Sequence, residues 1–237
     1  MIEIRERVEA SRAMLVAMAA IMTVIVYLFT VIFSLYIPQT KGFFNFGEVG
    51  VYIAATIGGP IVGLVAGGVG SALADITLGY AYYAPGTLVI KAVEGLIVGL
   101  LYGRLARLKP RRAPVIVLIA AISAAMYAIG SRLYVGRAEV SLGGLACAVV
   151  LVDVVWLVCA AALFAALAYL VVRSPEWGWP VVAMCTGGAE MVLGYFVYEQ
   201  FILGYLAIAE VPFNIMQVLV GVFGATLVLS YARRLRV

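Results

Sequence analysis

The stretch FGEVGVYIAATIGGPIVGLVAGGVGSALADITLGY, residues 46–80, decides how this chain is organised. It is almost wholly apolar, yet it is too long for one ordinary membrane span, because about 20 apolar residues in a helix already cover about 30 Å of hydrocarbon. Gly58-Gly59-Pro60 lies in its interior. Proline removes a helical hydrogen bond, and adjacent glycines tolerate a tight turn. The stretch is therefore expected to divide into a short helix at 46–58 and a full one at 60–80.

The rest of the chain has the same character. Of its 237 residues, 65% are hydrophobic and 12% charged, about half the charged share of a soluble domain. That much apolar surface cannot be hidden inside a soluble fold of this size. The charges are clustered and leave long uncharged runs at 13–36, 46–80, 86–106, 113–133, 141–172, 180–203 and 213–232. Segments of about ten residues with alternating polarity, which a membrane barrel needs, are absent. The start, Met1 to Arg12, carries both signs of charge, and the run after it exceeds a signal-peptide core, so it reads as a retained first span. With 46–80 divided, eight membrane helices are expected.

Positive charge supports the division, because Lys and Arg favour cytoplasmic loops. Eight helices with a cytoplasmic N-terminus put twelve basic residues inside: Arg5, Arg7, Arg12, Arg104, Arg107, Lys109, Arg111, Arg112, Arg173, Arg233, Arg234 and Arg236. Only Lys41, Arg132 and Arg137 fall outside, with Lys91 inside a span. An undivided 46–80 would put five inside and ten outside. Both termini are thus expected in the cytoplasm, where basic loops meet anionic headgroups; the surplus of +4 is no argument for nucleic acid.

Histidine is absent, which removes the commonest general base and metal ligand and weighs against hydrolytic chemistry. Cys147, Cys159 and Cys185 lie in apolar runs without paired spacing and read as small buried residues, not as a disulfide or a zinc site. Gly67-Gly68-Val69-Gly70 lies mid-span with no Gly-Lys-Ser/Thr after it, so it is not a phosphate loop. No cofactor or metal is expected.

Ionisable groups within spans cost about 2.5–3.5 kcal/mol each on insertion scales, so each needs a reason. Lys91 and Glu94 lie one turn apart in the outer half of 86–106. Glu199, with Tyr195 four residues earlier, lies near the outer end of 180–203, and Asn214 and Gln217 in the outer part of 213–232. Asp75 nears the outer end of 60–80 ahead of Tyr80, Tyr82 and Tyr83, and Asn45 precedes the second helix. Helix-to-helix glue would explain any one of them. Their gathering at one depth, beside a tyrosine-rich loop, favours a polar pocket opening outward. Glu190 and Asp153 read as mid-span acids without an assigned role. Ala13, Ala17 and Ala20 form a small-residue stripe on the first span that would let another helix approach closely.

Six fragments occur in an order and spacing that resemble one family: Phe44-Asn-Phe-Gly47; Gly59-Pro60-x-x-Gly63; Ser71-x-Leu-Ala-Asp75; Ala84-Pro85-x-Thr87-Leu-x-Ile-Lys91-x-x-Glu94-Gly95; Met191-x-x-Gly194-Tyr195-Phe196-x-x-Glu199; and Pro212-x-Asn214-x-x-Gln217-x-x-x-Gly221. Together they resemble the substrate-specific S components of energy-coupling-factor (ECF) vitamin importers, in particular the riboflavin-transporter-like group, over 1–109 and 179–237. The resemblance implies an all-α integral membrane protein with a six-helix core: four core helices in 1–109 and two in 179–237. Residues 110–178 then form an inserted pair of membrane helices.

The resemblance further implies a non-catalytic subunit that captures a small water-soluble vitamin or related compound from outside. It would dock on a transmembrane T subunit bearing two ATPases, with Ala13, Ala17 and Ala20 as the docking stripe. Asn45, Lys91, Glu94, Tyr195, Glu199, Asn214 and Gln217 are the candidate ligand-binding residues, under an outer loop running from Lys41 to Glu48. Riboflavin, thiamine precursors, pyridoxine-like compounds and queuosine precursors all remain open as ligands. The rival readings are a secondary transporter driven by protons at Glu94, Glu190 or Glu199, a membrane enzyme acting on lipid intermediates, and an assembly subunit that binds no small molecule.

Overall fold

In the computed structural model, residues 2–37, 42–109, 111–133, 135–142 and 145–234 are described; Lys41 and Arg236 lie outside them. A short helix α1 (Ile2–Ala10) leads into α2 (Arg12–Ile32), whose first turn is capped by Ser11 accepting a hydrogen bond from the Met14 amide at 3.4 Å. There follow β1 (Phe33–Ile37), β2 (Gly42–Asn45), α3 (Gly47–Leu78), α4 (Ala84–Leu105), α5 (Ala113–Leu133), β3 (Gly136–Leu142), β4 (Leu145–Leu151), α6 (Asp153–Arg173), α7 (Gly178–Ile202) and α8 (Val211–Arg234). Among the described residues, seven helices are long and apolar enough to cross a membrane. Large apolar side chains such as Val16, Val117 and Leu193 stand at least 64% exposed on their outward faces, as lipid contact requires and water would not allow.

The α3 helix is two arms. At Gly59 the backbone takes φ 84°, ψ −174°, with Pro60 next, and the chain reverses. A Cβ placed on Gly63 would lie 2.8 Å from that of Ala55, and one on Gly67 would lie 3.3 Å from Val51 Cγ1. In a continuous helix these pairs would be about 12 and 24 Å apart. The arms 47–58 and 60–78 therefore run antiparallel, and the division expected at Gly58-Gly59-Pro60 is what the chain does. Counting both arms, eight segments lie in the membrane region. The first arm, at about 18 Å, is too short to cross alone.

The second arm packs on α4 with little between the backbones. A Cβ on Gly95 would collide with the carbonyl of Gly63, and one on Gly67 with the carbonyl of Lys91. Small residues allow this approach, and it supplies helix association where lipid offers no hydrophobic drive. The arms of α3, together with α2, α4, α7 and α8, form the closely packed bundle, with Val51, Val62, Met184, Met191 and Leu219 fully buried inside. The helices α5 and α6 pair with each other and lean on α8; Trp156 of α6 meets Phe213 of α8 with ring centroids 5.0 Å apart.

The sequence reading missed a four-stranded antiparallel sheet in the order β2-β1-β3-β4. It corrects two of the expected spans. The run 13–36 leaves helix at Ile32 and continues as β1, while the run 141–172 is a strand to Leu151 and helix only from Asp153. Hydropathy cannot separate a short apolar strand from a helix, and the β-branched Val149 and Val150 suit a strand. The pairing of β1 with β3, Phe33 opposite Leu142 through Tyr36 opposite Glu139, joins the α2–α3 and α5–α6 connections into one cap. By the up-and-down order of the helices, the 79–83 turn and the 203–210 segment lie at this capped end as well. The opposite end holds α1 and the α4–α5 connection. There Arg5 donates to the Gly99 carbonyl at 2.7 Å, and Arg107 donates to Glu6 at 3.1 Å.

The close packing predicts a sharp contrast. Gly95→Ala forces α4 off the second arm and should cost about 1–3 kcal/mol. Gly79→Ala, at φ 89° with nothing within 4 Å, should cost only its backbone strain, about 1 kcal/mol. Thermal melting of the two variants in the same detergent checks this: the Gly95 variant should melt several degrees lower than the Gly79 variant.

Candidate ligand cavity at the capped end

The interior just below the cap is organised by one cation. Lys91 of α4, 4% exposed, donates to Glu48 at the head of the first α3 arm and to Glu94 Oε2, 3.2 Å away. Glu94 Oε1 accepts from the Tyr52 hydroxyl at 3.0 Å, and Glu48 Oε1 accepts from Gln217 Nε2 of α8 at 3.3 Å. The group ties α3, α4 and α8 together at one level. The Lys91 ammonium also stands 5.6 Å from the centre of the Tyr195 ring on α7.

Above this layer is a cavity lined by Gly42, Phe43 and Asn45 of the β2 segment, Asp75 of α3, Tyr83 and Thr87 at the start of α4, Tyr195 and Glu199 of α7, Glu210, and Asn214 and Gln217 of α8. Measured to the centres of water-sized spheres, its volume is about 40 Å³. Aromatic contacts flank it at the capped end. Phe43 stacks on Tyr80 at 4.4 Å, and the Tyr198 hydroxyl donates to the Tyr82 carbonyl at 2.8 Å, pinning the 79–83 turn to α7. Burial pushes the Tyr80 phenol up to about 12, so it is a neutral hydrogen-bond donor at any ordinary pH.

Several polar atoms in the wall are buried without a partner: Asp75 Oδ2, Tyr83 Oη, Glu199 Oε2 and Asn214 Nδ2. Native interiors satisfy nearly all such atoms, so four unpaired polar groups on residues lining one cavity mark it out from the rest of the interior. Two other polar groups of the wall are hydrogen-bonded within the protein. Tyr195 donates its hydroxyl to Thr87 Oγ1 at 2.9 Å, and Asn45 Oδ1 accepts the Gly47 amide at 2.7 Å, fixing the turn from β2 into α3.

Five of the seven expected ligand-binding residues, Asn45, Tyr195, Glu199, Asn214 and Gln217, come together on this wall. Lys91 and Glu94 do not line it; they form the layer beneath. Asp75 and Thr87 belong to the wall; the sequence had placed Asp75 near the outer end of its span, while Thr87 figured only in a family-like fragment. Glu48 and Glu210 had been given no role: Glu48 read as the end of a loop, and Glu210 sits in the short connection before α8, where only its burial at 3% exposure marks it. Glu190 is half-buried on α7. Asp153 is not mid-span as expected: it is the exposed first residue of α6 and accepts the Val154 amide at 2.9 Å. Cys185 is buried and Cys159 partly so, both with free thiols. Among the described residues no group of three acidic or sulfur ligands could hold a metal ion.

Removing the central cation has a calculable cost. Lys91→Met strands Glu48 and Glu94 in the interior and should destabilise by about 3–5 kcal/mol. Adding Glu48→Gln removes one of the stranded charges and should recover at least about 1 kcal/mol. Thermal melting of the single and double variants in detergent reads both effects.

Comparison with known proteins identifies the family. The sequence pattern of the family described as ECF-type riboflavin transporter, S component, matches residues 11–175, more than half of the chain. The match includes α5 and α6, which the sequence reading had set apart as inserted, and ends before α7. A Pyrococcus woesei protein described as "Uncharacterized protein in gap 3'region" is 50% identical over 70 residues, 30% of this chain and 47% of that protein. The aligned part thus spans about half the length of that relative. No solved structure matches. The chain is a multi-pass membrane protein that belongs to the ECF-type riboflavin transporter S-component family.

Proposed function

We propose that this protein is the substrate-capturing subunit of an ECF-type importer, and that it takes a small water-soluble vitamin or related compound into the cavity beneath the sheet. The observation that carries this reading is the set of buried, partnerless polar atoms of Asp75, Tyr83, Glu199 and Asn214 converging from four elements on one cavity. An aromatic wall with a few convergent polar groups is the usual form of a small-molecule site. A vitamin would enter from the capped end, between the β2 segment and the 79–83 turn. Lys91 and Glu94 then act from below, holding the wall in register without touching the guest.

The capped end faces outward and both termini face the cytoplasm, in keeping with the basic residues gathered at the opposite end. Ala13, Ala17 and Ala20 lie exposed on α2, a free strip of small side chains suited to a transmembrane T subunit carrying the two ATPases. The protein itself performs no chemistry. The α5–α6 pair, packed outside the bundle, adds lipid-facing or partner-facing surface and leaves the cavity wall unchanged.

Two measurements test the proposal. The full chain, purified in mild detergent, should carry one stoichiometric small molecule detectable by native mass spectrometry. Asn214→Ala should weaken that binding about tenfold or more, the cost of one lost buried hydrogen bond; a chain that never carries or binds a small molecule would falsify the capture role. Separately, Ala17→Trp should leave binding intact while abolishing uptake in cells that contain the energising subunits. Undiminished uptake would remove α2 as the docking face.

A further inference from the structure

The helices α6 and α8 both descend from the capped end and meet near it through Trp156 and Phe213. Toward their other ends they leave a groove of about 240 Å³, measured to the centres of water-sized spheres. From α8 it is lined by Leu227, Ser230, Tyr231 and Arg234, whose spacing of three and four residues marks one helix face. The lining changes in character with depth. Leu227 lies seven residues before Arg234, about 10 Å nearer the middle of the membrane. On the facing wall, Leu170 stands one turn before Ser174. Arg173 and Arg234, each in the last turn of its helix, form the rim furthest from the cap.

Arginine in the last turn of a helix is expected from the dipole alone. Here two arginines from different helices line one groove, and both are exposed. The Arg173 guanidinium stands over the ring of Tyr169, 6.0 Å from its centre. Ser230 Oγ, one turn from Arg234 in the same wall, is buried without a hydrogen-bond partner, and such a hydroxyl can donate to an anion held by a neighbouring guanidinium. Tyr169 and Tyr231 are 62% and 65% exposed, as amphipathic rings at a membrane–water interface are. We propose that this groove holds one anionic phospholipid of the leaflet opposite the cap, its phosphate at Arg173, Arg234 and Ser230 and a hydrocarbon chain along Leu170 and Leu227. Basic pockets between membrane helices hold acidic headgroups at this level. A soluble phosphate would gain nothing from the apolar part of the groove. The site is separate from the cavity beneath the cap and does not depend on what that cavity binds.

The full chain in mild detergent is titrated with phosphatidylglycerol, phosphatidylcholine and inorganic phosphate, and the bound adducts are counted by native mass spectrometry. The expected result is one tightly held phosphatidylglycerol, weakened about tenfold by Arg173→Gln and again by Arg234→Gln tested singly, the cost of one charge-assisted hydrogen bond. Arg104→Gln, an equal change of charge at an exposed position on α4, should leave that binding unchanged. Equal retention of phosphatidylcholine, or equal weakening by Arg104→Gln, would reduce the effect to general surface charge and overturn the proposal. Undiminished binding in both groove variants would place the lipid elsewhere. Displacement by inorganic phosphate at a concentration matching the lipid would make the guest a soluble anion. A chain that holds no lipid tightly would sink the proposal outright, and loss of assembly with the energising subunits in the two groove variants would then assign the groove to that partner.

Discussion

The site depends on an ion pair buried where a membrane protein is least able to tolerate one. Lys91 reaches across from α4 to Glu48 on the first arm of α3, and Gln217 of α8 completes the group through the same Glu48 carboxylate. Each of these charges would be expensive alone in hydrocarbon. Held together, they are affordable only at one relative position of three helices, so the pair acts as a register pin more than as a source of net stability. What it fixes is the floor of the cavity. Tyr195 stands just above the ammonium, and its hydroxyl fixes Thr87. The wall is thus built upward from the pin.

The glycine reversal makes this position reachable. Glu48 lies at the head of an arm of only about 18 Å, which descends from the cap and turns back at Gly59 without crossing. A full-length span beginning at the same place would carry the chain to the other face and leave no partner for the second arm. Because the arm is short, residues 47–52 and the carboxyl-terminal turns of the second arm share a level with the start of α4. That is how Glu48, Asp75 and Thr87, from three different turns of chain, come within one small volume. The close backbone approach at Gly63 and Gly95 leaves no slack between the second arm and α4, and so helps to hold Asp75 near Thr87.

Much of this arrangement is legible in the order of residues. An apolar run with Gly58-Gly59-Pro60 inside it can only bend there, and the distribution of Lys and Arg chooses the bend over a straight span. The shared depth of Tyr195, Glu199, Asn214 and Gln217 follows once the spans are counted, since a helix advances a fixed rise per residue. Three features resist such reading for physical reasons. The sheet escapes because Phe33–Ile37 and Leu145–Leu151 are as apolar as the helices they adjoin, and their pairing is a long-range event that no local period announces. The partner of Lys91 escapes because Glu94, one turn away, satisfies the local rule while Glu48, 43 residues distant, is the closer contact. Glu210 escapes because a carboxylate in a short connection reads as solvated; only the folded cap, with the Glu210 carboxylate against Gly42, buries it.

The sheet changes what the bundle can do. In a plain bundle the loops at one end are independent, and a cavity between helix ends is open to solvent. Here β1 carries α2 directly into a ladder with β3, so the connection above the cavity is tied to the α5–α6 pair. A displacement of β1 would therefore carry the outer pair with it. The ladder thus links the α2–α3 connection to the α5–α6 connection. The Phe43–Tyr80 stack and the Tyr198 bond to the 79–83 turn are few enough to be exchanged for contacts with a guest. The ladder, with pairings along both β1 and β3, is not. The ladder therefore ties β1 and β2 to the rest of the cap by continuous backbone pairing.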